Sequence, residues 1–218
     1  MNRRKGLTRF GFVVLAICLL FLIISGAVSL LKNGSASPET AGQGDVCEFT
    51  AQYAGEILEM KHSVNFIPTG KEHYYLVVSD GGVVRYLVRA KPSWIEKRFD
   101  SNGLAINGGV AMKGNVVRTE YEMIKEINEL NVKLIQNELI TAGETLSTSY
   151  YIDLRYREFG LLRIICGVGL IGIGVLVFFG IQSDMLPNNK GIALIVGLVS
   201  LGVAVLTIYT LTVGGTGL

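Results

Sequence analysis

Residues 167–174 read GVGLIGIG, and within them Gly167, Gly169 and Gly172 hold the G-x-G-x-x-G spacing that can cradle a dinucleotide pyrophosphate. Whether these eight residues form a phosphate loop or a helix face decides the fold. A dinucleotide-binding turn follows a strand, opens a helix and keeps a polar surface toward the phosphates. Here Ile164, Ile165 and Cys166 precede the glycines, and Val175 to Phe179 follow without a polar side chain. The acidic residue expected about twenty positions on is missing, because Asp184 comes too early. The glycines are therefore packing residues on an apolar helix, where a missing side chain lets another backbone approach. Gly160, Gly167 and Gly174 recur every seven residues and fall on nearly one line. Ala193, Gly197, Ser200 and Ala204 form a second small-residue stripe, and the two stripes are expected to face each other. No cofactor is expected.

The surrounding sequence extends that reading. Phe10 to Leu31 carries no charge over 22 residues, Leu161 to Ile181 carries only Arg163, and Gly191 to Val213 carries none. At about 1.5 Å of rise per residue, each run exceeds the roughly 30 Å of a bilayer's hydrocarbon. The composition agrees: half the chain is hydrophobic and only 17% is charged, against about 25% in soluble domains. The expected fold is a membrane protein with three transmembrane α-helices, at 10–31, 161–181 and 191–213, plus a small mixed α/β domain.

Arg3, Arg4, Lys5 and Arg9 precede the first run, which places residues 1–9 in the cytoplasm. Residues 32–45 contain no large apolar side chain between Lys32 and Asp45 and read as a linker. The domain at 46–157 is then extracytoplasmic, 182–190 is a cytoplasmic turn, and 214–218 is an outer tail. Lys32, Arg155, Arg157 and Arg163 flank the outer ends, so the orientation rests mainly on the first run. That run is longer than the 7–15 residues of a signal-peptide core, which favours an uncleaved anchor in the cell membrane. Of the three cysteines, Cys47 alone lies in the domain, so no internal disulfide is available to it.

Within 46–157 the signals alternate between strand and helix. Asp80-Gly81-Gly82 joins two β-rich runs as a hairpin. Ser93 with Glu96, and Thr119 with Glu122, read as capping boxes ahead of a short and a long helix. Ile124, Ile127, Leu130, Leu134 and Ile135 make the apolar stripe of the long one, and Gly143 marks its stop. Between the two helices, Gly114 in a strand pattern signals a bulge or a close backbone contact. Tyr150 to Arg157 alternates as a last strand. The order resembles an OB-type β-barrel, favoured over an open α+β sheet. The whole layout resembles three-span bacterial membrane proteins of unknown function; that likeness is architectural, rests on no diagnostic motif and implies no activity.

Chemistry is sparse. His62 and His73 stand eleven apart without close-spaced ligand partners, so no metal site is expected. No GxSxG-like nucleophile turn occurs. Glu120, Glu122, Glu126 and Glu129 interleave with Lys125 and Lys133 as a solvated helix face. Nucleic acid is not an expected partner: residues 33–160 hold 17 acidic against 13 basic side chains, a net of −4, where a basic footprint is needed. Arg163 lies near a run's end, where it can snorkel to the interface. Tyr86, Trp94 and Asp153 are the candidate ligand surface, with Asp153 expected in a surface ion pair with Arg155.

The leading expectation is a non-enzymatic protein, anchored in the lipid bilayer, whose small extracytoplasmic domain binds another membrane or envelope protein or a surface ligand. An accessory subunit of a transport or secretion complex is the alternative, motivated by the glycine stripes. An enzyme with a dispersed active site and a self-associating protein are further readings.

Overall fold

The computed structural model describes residues 17, 19–34, 36–64, 67–79, 85–137, 146–182 and 190–212. In chain order the elements are α1 (Leu19–Leu31), β1 (Val46–Val64), β2 (Ile67–Ser79), β3 (Arg85–Ala90), α2 (Pro92–Ile95), β4 (Val110–Arg118), α3 (Tyr121–Gln136), β5 (Tyr150–Asp153), α4 (Tyr156–Gln182) and α5 (Lys190–Thr212). They fall into two units. One is Lys32–Tyr156; the other combines Met1–Leu31 with Arg157–Leu218.

In the first unit β1 pairs with β2 along one stretch and with β4 along another. The ring completes through β2–β3, a parallel β3–β5 pair and an antiparallel β4–β5 pair, giving a closed barrel in the order β1-β2-β3-β5-β4. The 19-residue β1 serves both neighbours because register shifts bend it, at Ala51/Tyr53, Glu56/Leu58 and His62/Ser63. Alternation splits the side chains into two cores. Ala51, Val77, Val88, Met112, Val116 and Ile152 fill the interior, and Ile95 and Phe99 join them from α2 and the turn after it. On the outer face, Tyr74, Leu87 and Tyr151 pack against Met123 and Ile127 of α3. Gly114 lets β4 approach β5, since a Cβ there would run into Ile152 Cγ2.

Local signals were displaced by tertiary contacts. Pro92 takes the first turn of α2 behind an N-cap at Lys91, so Ser93 already lies inside the helix and caps nothing. Likewise Glu120 is the N-cap of α3 without a side-chain bond, while the Thr119 N–H donates to the Ser149 carbonyl at 3.0 Å. The buried stripe of α3 is Met123, Ile127 and Asn131, with Ile135 exposed. Asn131 exchanges hydrogen bonds with the Leu146 backbone in both directions, at 3.1 and 2.9 Å. The turns at Asp80-Gly81-Gly82, Gly143 and 183–189 lie outside the described residues.

The expectation of three transmembrane helices is overturned. Among the described residues one helix, Tyr156–Val175, is long and apolar enough to cross a membrane, with a mean hydropathy of 1.8. Leu19–Leu31 and Gly197–Thr210 are apolar but shorter, and a crossing needs about 20 residues. A multi-pass topology therefore does not follow. The start of this helix also moves: β5 ends at Asp153 and α4 begins at Tyr156, so the last strand is four residues long rather than reaching Arg157.

Candidate functional site

The barrel's largest concentration of charge is buried. Arg89 of β3 stands opposite Tyr74 of β2 on one side and Asp153 of β5 on the other. Its Nε and Nη2 donate to the two Asp153 carboxylate oxygens at 3.0 and 2.5 Å, and its Nη1 donates to Glu72 Oε1 at 2.5 Å. The Tyr74 hydroxyl donates to Glu72 Oε2 at 2.7 Å, and the Arg155 N–H donates to Asp153 Oδ1 at 2.9 Å. Tyr151 closes the group, its ring edge-on to Tyr74 and 5.4 Å beneath the guanidinium. Glu72, Arg89 and Asp153 are 2%, 1% and 1% exposed. Burial opposes the charge on Arg89, but Asp153 and Glu72 outweigh it and hold the guanidinium protonated. Burial likewise pushes the Tyr74 and Tyr151 phenols up, out of reach of physiological titration. Bidentate geometry with every charge answered is a structural clamp between strands.

This placement corrects the proposed ligand surface. Asp153 does not lie on the surface: it is 1% exposed, and its carboxylate accepts from Arg89 and from the Arg155 N–H. Tyr86 and Trp94 pack instead against the interior core, Tyr86 with its ring 5.0 Å from that of Phe49. The three residues do not converge. Trp94 does border something, however. The Arg98 guanidinium lies over its ring at 4.1 Å and Arg98 Nη1 donates to its carbonyl at 3.1 Å. Beside this pair a groove of about 220 Å³ runs between Lys97 and Arg98 on one wall and Asn107, Gly109 and Val110 on the other. The loop joining the walls is fixed by Gly103, whose φ of +80° and approach to the Ala54 carbonyl exclude a side chain.

Two other places hold reactive residue types. Glu56, Glu59 and His73 bring one ligand atom each within 4.8 Å of one another, the set among the described residues with a metal-like grouping. The register shift between Glu56 and Leu58 turns Glu56 and Glu59 to one side of β1, which strict alternation would forbid. Each ligand is already engaged: His73 Nδ1 lies 2.8 Å from Glu56 and Lys71 Nζ 3.0 Å from Glu59. The Lys71 hydrogen bond pulls the Glu59 carboxyl below its usual range. An exposed ion-pair patch accounts for the grouping. Cys47 is buried, with its Sγ 3.5 Å from the Gly114 carbonyl, and burial pushes its thiol up to about 11. It is a poor nucleophile at neutral pH. The side chain of His62 lies outside the described residues.

No known protein family, characterised protein or solved structure matches the chain. The site must be read from its own geometry.

The helix-packing residues are divided by the structure. Gly160 and Gly167 of α4 meet α1: a Cβ on Gly160 would lie 2.8 Å from Ser29 Cβ, and one on Gly167 2.7 Å from Ile23 Cγ1. Gly26 of α1 answers from its side, where a Cβ would lie 2.6 Å from the Gly160 carbonyl oxygen. Gly160 and Gly167 thus face α1 rather than the α5 stripe, while Gly169 lies toward Val203 of α5. Gly174 and Gly197 have nothing within 4 Å among the described residues, Ala204 is exposed and Ser200 half-buried. The side chain of Ala193 lies outside the described residues. Arg163 does not snorkel outward. It is 1% exposed and spans the unit, with Nη1 3.4 Å from Ser29 Oγ and Nη2 3.5 Å from the Thr210 carbonyl.

Sequence reasoning missed Glu72, Arg89, Lys97 and Arg98. Arg89 offered one signal: it alternates in phase with Leu87, though Arg85 shares that phase. Lys97 and Arg98 offered none beyond standing next to a tryptophan-bearing turn.

Proposed function

We propose that this chain is a membrane-anchored, non-enzymatic protein in which α4 holds the molecule in the lipid bilayer and the barrel is a binding module for another membrane or envelope protein. The observation that carries the reading is the apolar Tyr156–Val175 stretch, which starts three residues after β5 ends. A strand that leads so directly into such a helix leaves no room for an independent linker. The barrel's buried ionisable groups support the non-enzymatic half. The Glu72 and Asp153 carboxylates are both engaged by Arg89, and the Cys47 thiol is held protonated. Activated nucleophiles and poised general bases need the opposite arrangement. The accessory-subunit reading loses part of its motive, since Gly160 and Gly167 are used within the chain, while Gly172, Gly174, Gly197 and Gly202 meet nothing within 4 Å among the described residues.

Alkaline carbonate extraction of membranes from cells making the full chain tests the anchor. The protein is expected in the pellet, and replacing Val168 and Ile171 by aspartate is expected to release it. Recovery of the unaltered chain in the supernatant rejects the proposal. A photo-crosslinking residue at exposed Leu104 or Tyr121 then reports on the partner, and an absence of discrete adducts at both sites in native membranes counts against a binding role.

A further inference from the structure

The groove beside α2 has a composition that the rest of the domain lacks. Its polar lining comes from Lys97, Arg98 and Asn107, with Ile106, Gly109, Val110 and Ala111 completing the walls, and no carboxylate is among the lining residues. This is a cationic concavity in a segment whose net charge is −4. Of the two nearest acids along the chain, Glu96 is exposed and is not among the residues lining the groove, and Asp100 is turned into its own loop, where Oδ1 accepts from the Asn102 and Leu104 N–H groups at 2.9 and 2.8 Å.

Arg98 is held in place before any ligand arrives. Its guanidinium is stacked on Trp94, its Nη1 is tied to the Trp94 carbonyl, and its own carbonyl accepts from the Ile106 N–H at 3.0 Å. That last bond joins the two walls of the groove. The Nη1 bond leaves Nε and Nη2 without a protein partner among the described residues, and those two nitrogens form one edge of the planar fork. Such an edge matches two oxygens of a phosphate, while a lysine supplies a second point charge. The volume of about 220 Å³ is below the roughly 300–1,000 Å³ of pockets that enclose organic ligands. It suits a small ionic group.

We infer that this groove binds a phosphate group, with Arg98 as the preorganised fork, Lys97 as the second cation and the Asn107 amide as a neutral donor. The group is either a phosphomonoester headgroup of a lipid or a free phosphate. The inference goes beyond the anchoring and partner reading and stands whether or not a protein docks on the barrel.

The test uses the full chain purified in an uncharged detergent. One arm measures radiolabelled inorganic phosphate by equilibrium dialysis at constant ionic strength. The other adds short-chain phosphatidic acid or phosphatidylcholine to the micelles and follows Trp94, the chain's single tryptophan. Saturable binding is expected in at least one arm, with no response to phosphatidylcholine. Arg98→Gln is expected to weaken it about ten-fold or more, and Lys97→Gln about three-fold or more, as charge-assisted hydrogen bonds imply. Lys113→Gln is expected to change it less than about two-fold, because Lys113 is engaged by Glu48 and is not among the residues lining the groove. Binding in the dialysis arm alone assigns a free phosphate, and binding in the micelle arm alone assigns a lipid headgroup. Lys97 is exposed, so its variant decides the matter if Arg98→Gln fails to fold. Absence of saturable binding in both arms overturns the inference, as does unchanged affinity in Lys97→Gln.

Discussion

Arg89 and Asp153 face each other across the parallel strands β3 and β5, joined by two hydrogen bonds between residues 64 positions apart. Removing the cation leaves two buried carboxylates without their shared partner. Arg89→Met is expected to cost about 3–5 kcal/mol, the usual penalty for breaking a buried pair from one side. The measurement is thermal unfolding of the full chain followed by circular dichroism. Replacing all three charges with apolar residues, Glu72→Leu, Arg89→Met and Asp153→Leu, is expected to recover most of that loss. A triple variant as unstable as the single one would show that the clamp is not what the single substitution breaks.

Gly114→Ala tests the closest approach of β4 to β5. The added methyl would run into Ile152 Cγ2 and lie 3.1 Å from the Asp153 carbonyl. Overpacking of that kind costs about 1–3 kcal/mol. An unchanged unfolding midpoint would mean that the two strands lie farther apart than described.

The helical unit makes a paired prediction. Gly167→Val places a branched side chain against Ile23, whereas Gly174→Val meets nothing within 4 Å. The first is expected to destabilise α1–α4 packing by about 1–3 kcal/mol, and the second to stay within about 0.5 kcal/mol. Cysteine crosslinking between Gly26→Cys and Ile164→Cys reads the packing directly, since Ile164 lies beside Gly26. Equal effects at both glycines would remove the distinction between a packed and an open face.

Cys47 carries the pH dependence. Its thiol is raised from an ordinary 9.0 to about 11 in the folded chain, chiefly by burial. A raised pKa means that the folded state keeps its proton where the unfolded state has lost it. The resulting stability is intact below pH 9 and declines as pH rises from 9 toward 11. Alkylation mapped by peptide mass spectrometry is expected to spare Cys47 at pH 8 and to reach it near pH 11. Rapid labelling at pH 8 without unfolding would contradict the burial.

How far the sequence reveals this molecule depends on the range of the interaction. The order of strands and helices in 46–157 was readable because alternation and helical periodicity are local, and so was the need for glycine at 114. The capping boxes failed by two residues and by one, since Pro92 started α2 early and Thr119 was drawn toward Ser149. Asp153 was noticed, yet assigned to its neighbour Arg155 instead of a distant arginine. Nothing along the chain announces a partner 64 residues away. The glycine stripe was recognised as packing surface while its partner helix was misassigned, because spacing shows which face is small and not which helix meets it. The expectation of three crossings fell because, among the described residues, one stretch, Tyr156–Val175, is both long and apolar enough to cross a membrane.

The parallel β3–β5 pair has a consequence for biosynthesis. The first three strands are complete by Ala90, but the strand that seals the ring, Tyr150–Asp153, is delivered only after α2, β4 and α3 have been made. Until then β3 presents an open edge, the kind of surface that recruits stray chains. The segment that follows β5 almost at once is the apolar α4. Ring closure and the commitment of that helix therefore fall within the same few seconds of translation, and a ribosome stalled just before residue 150 would hold a half-made ring with its edge uncovered.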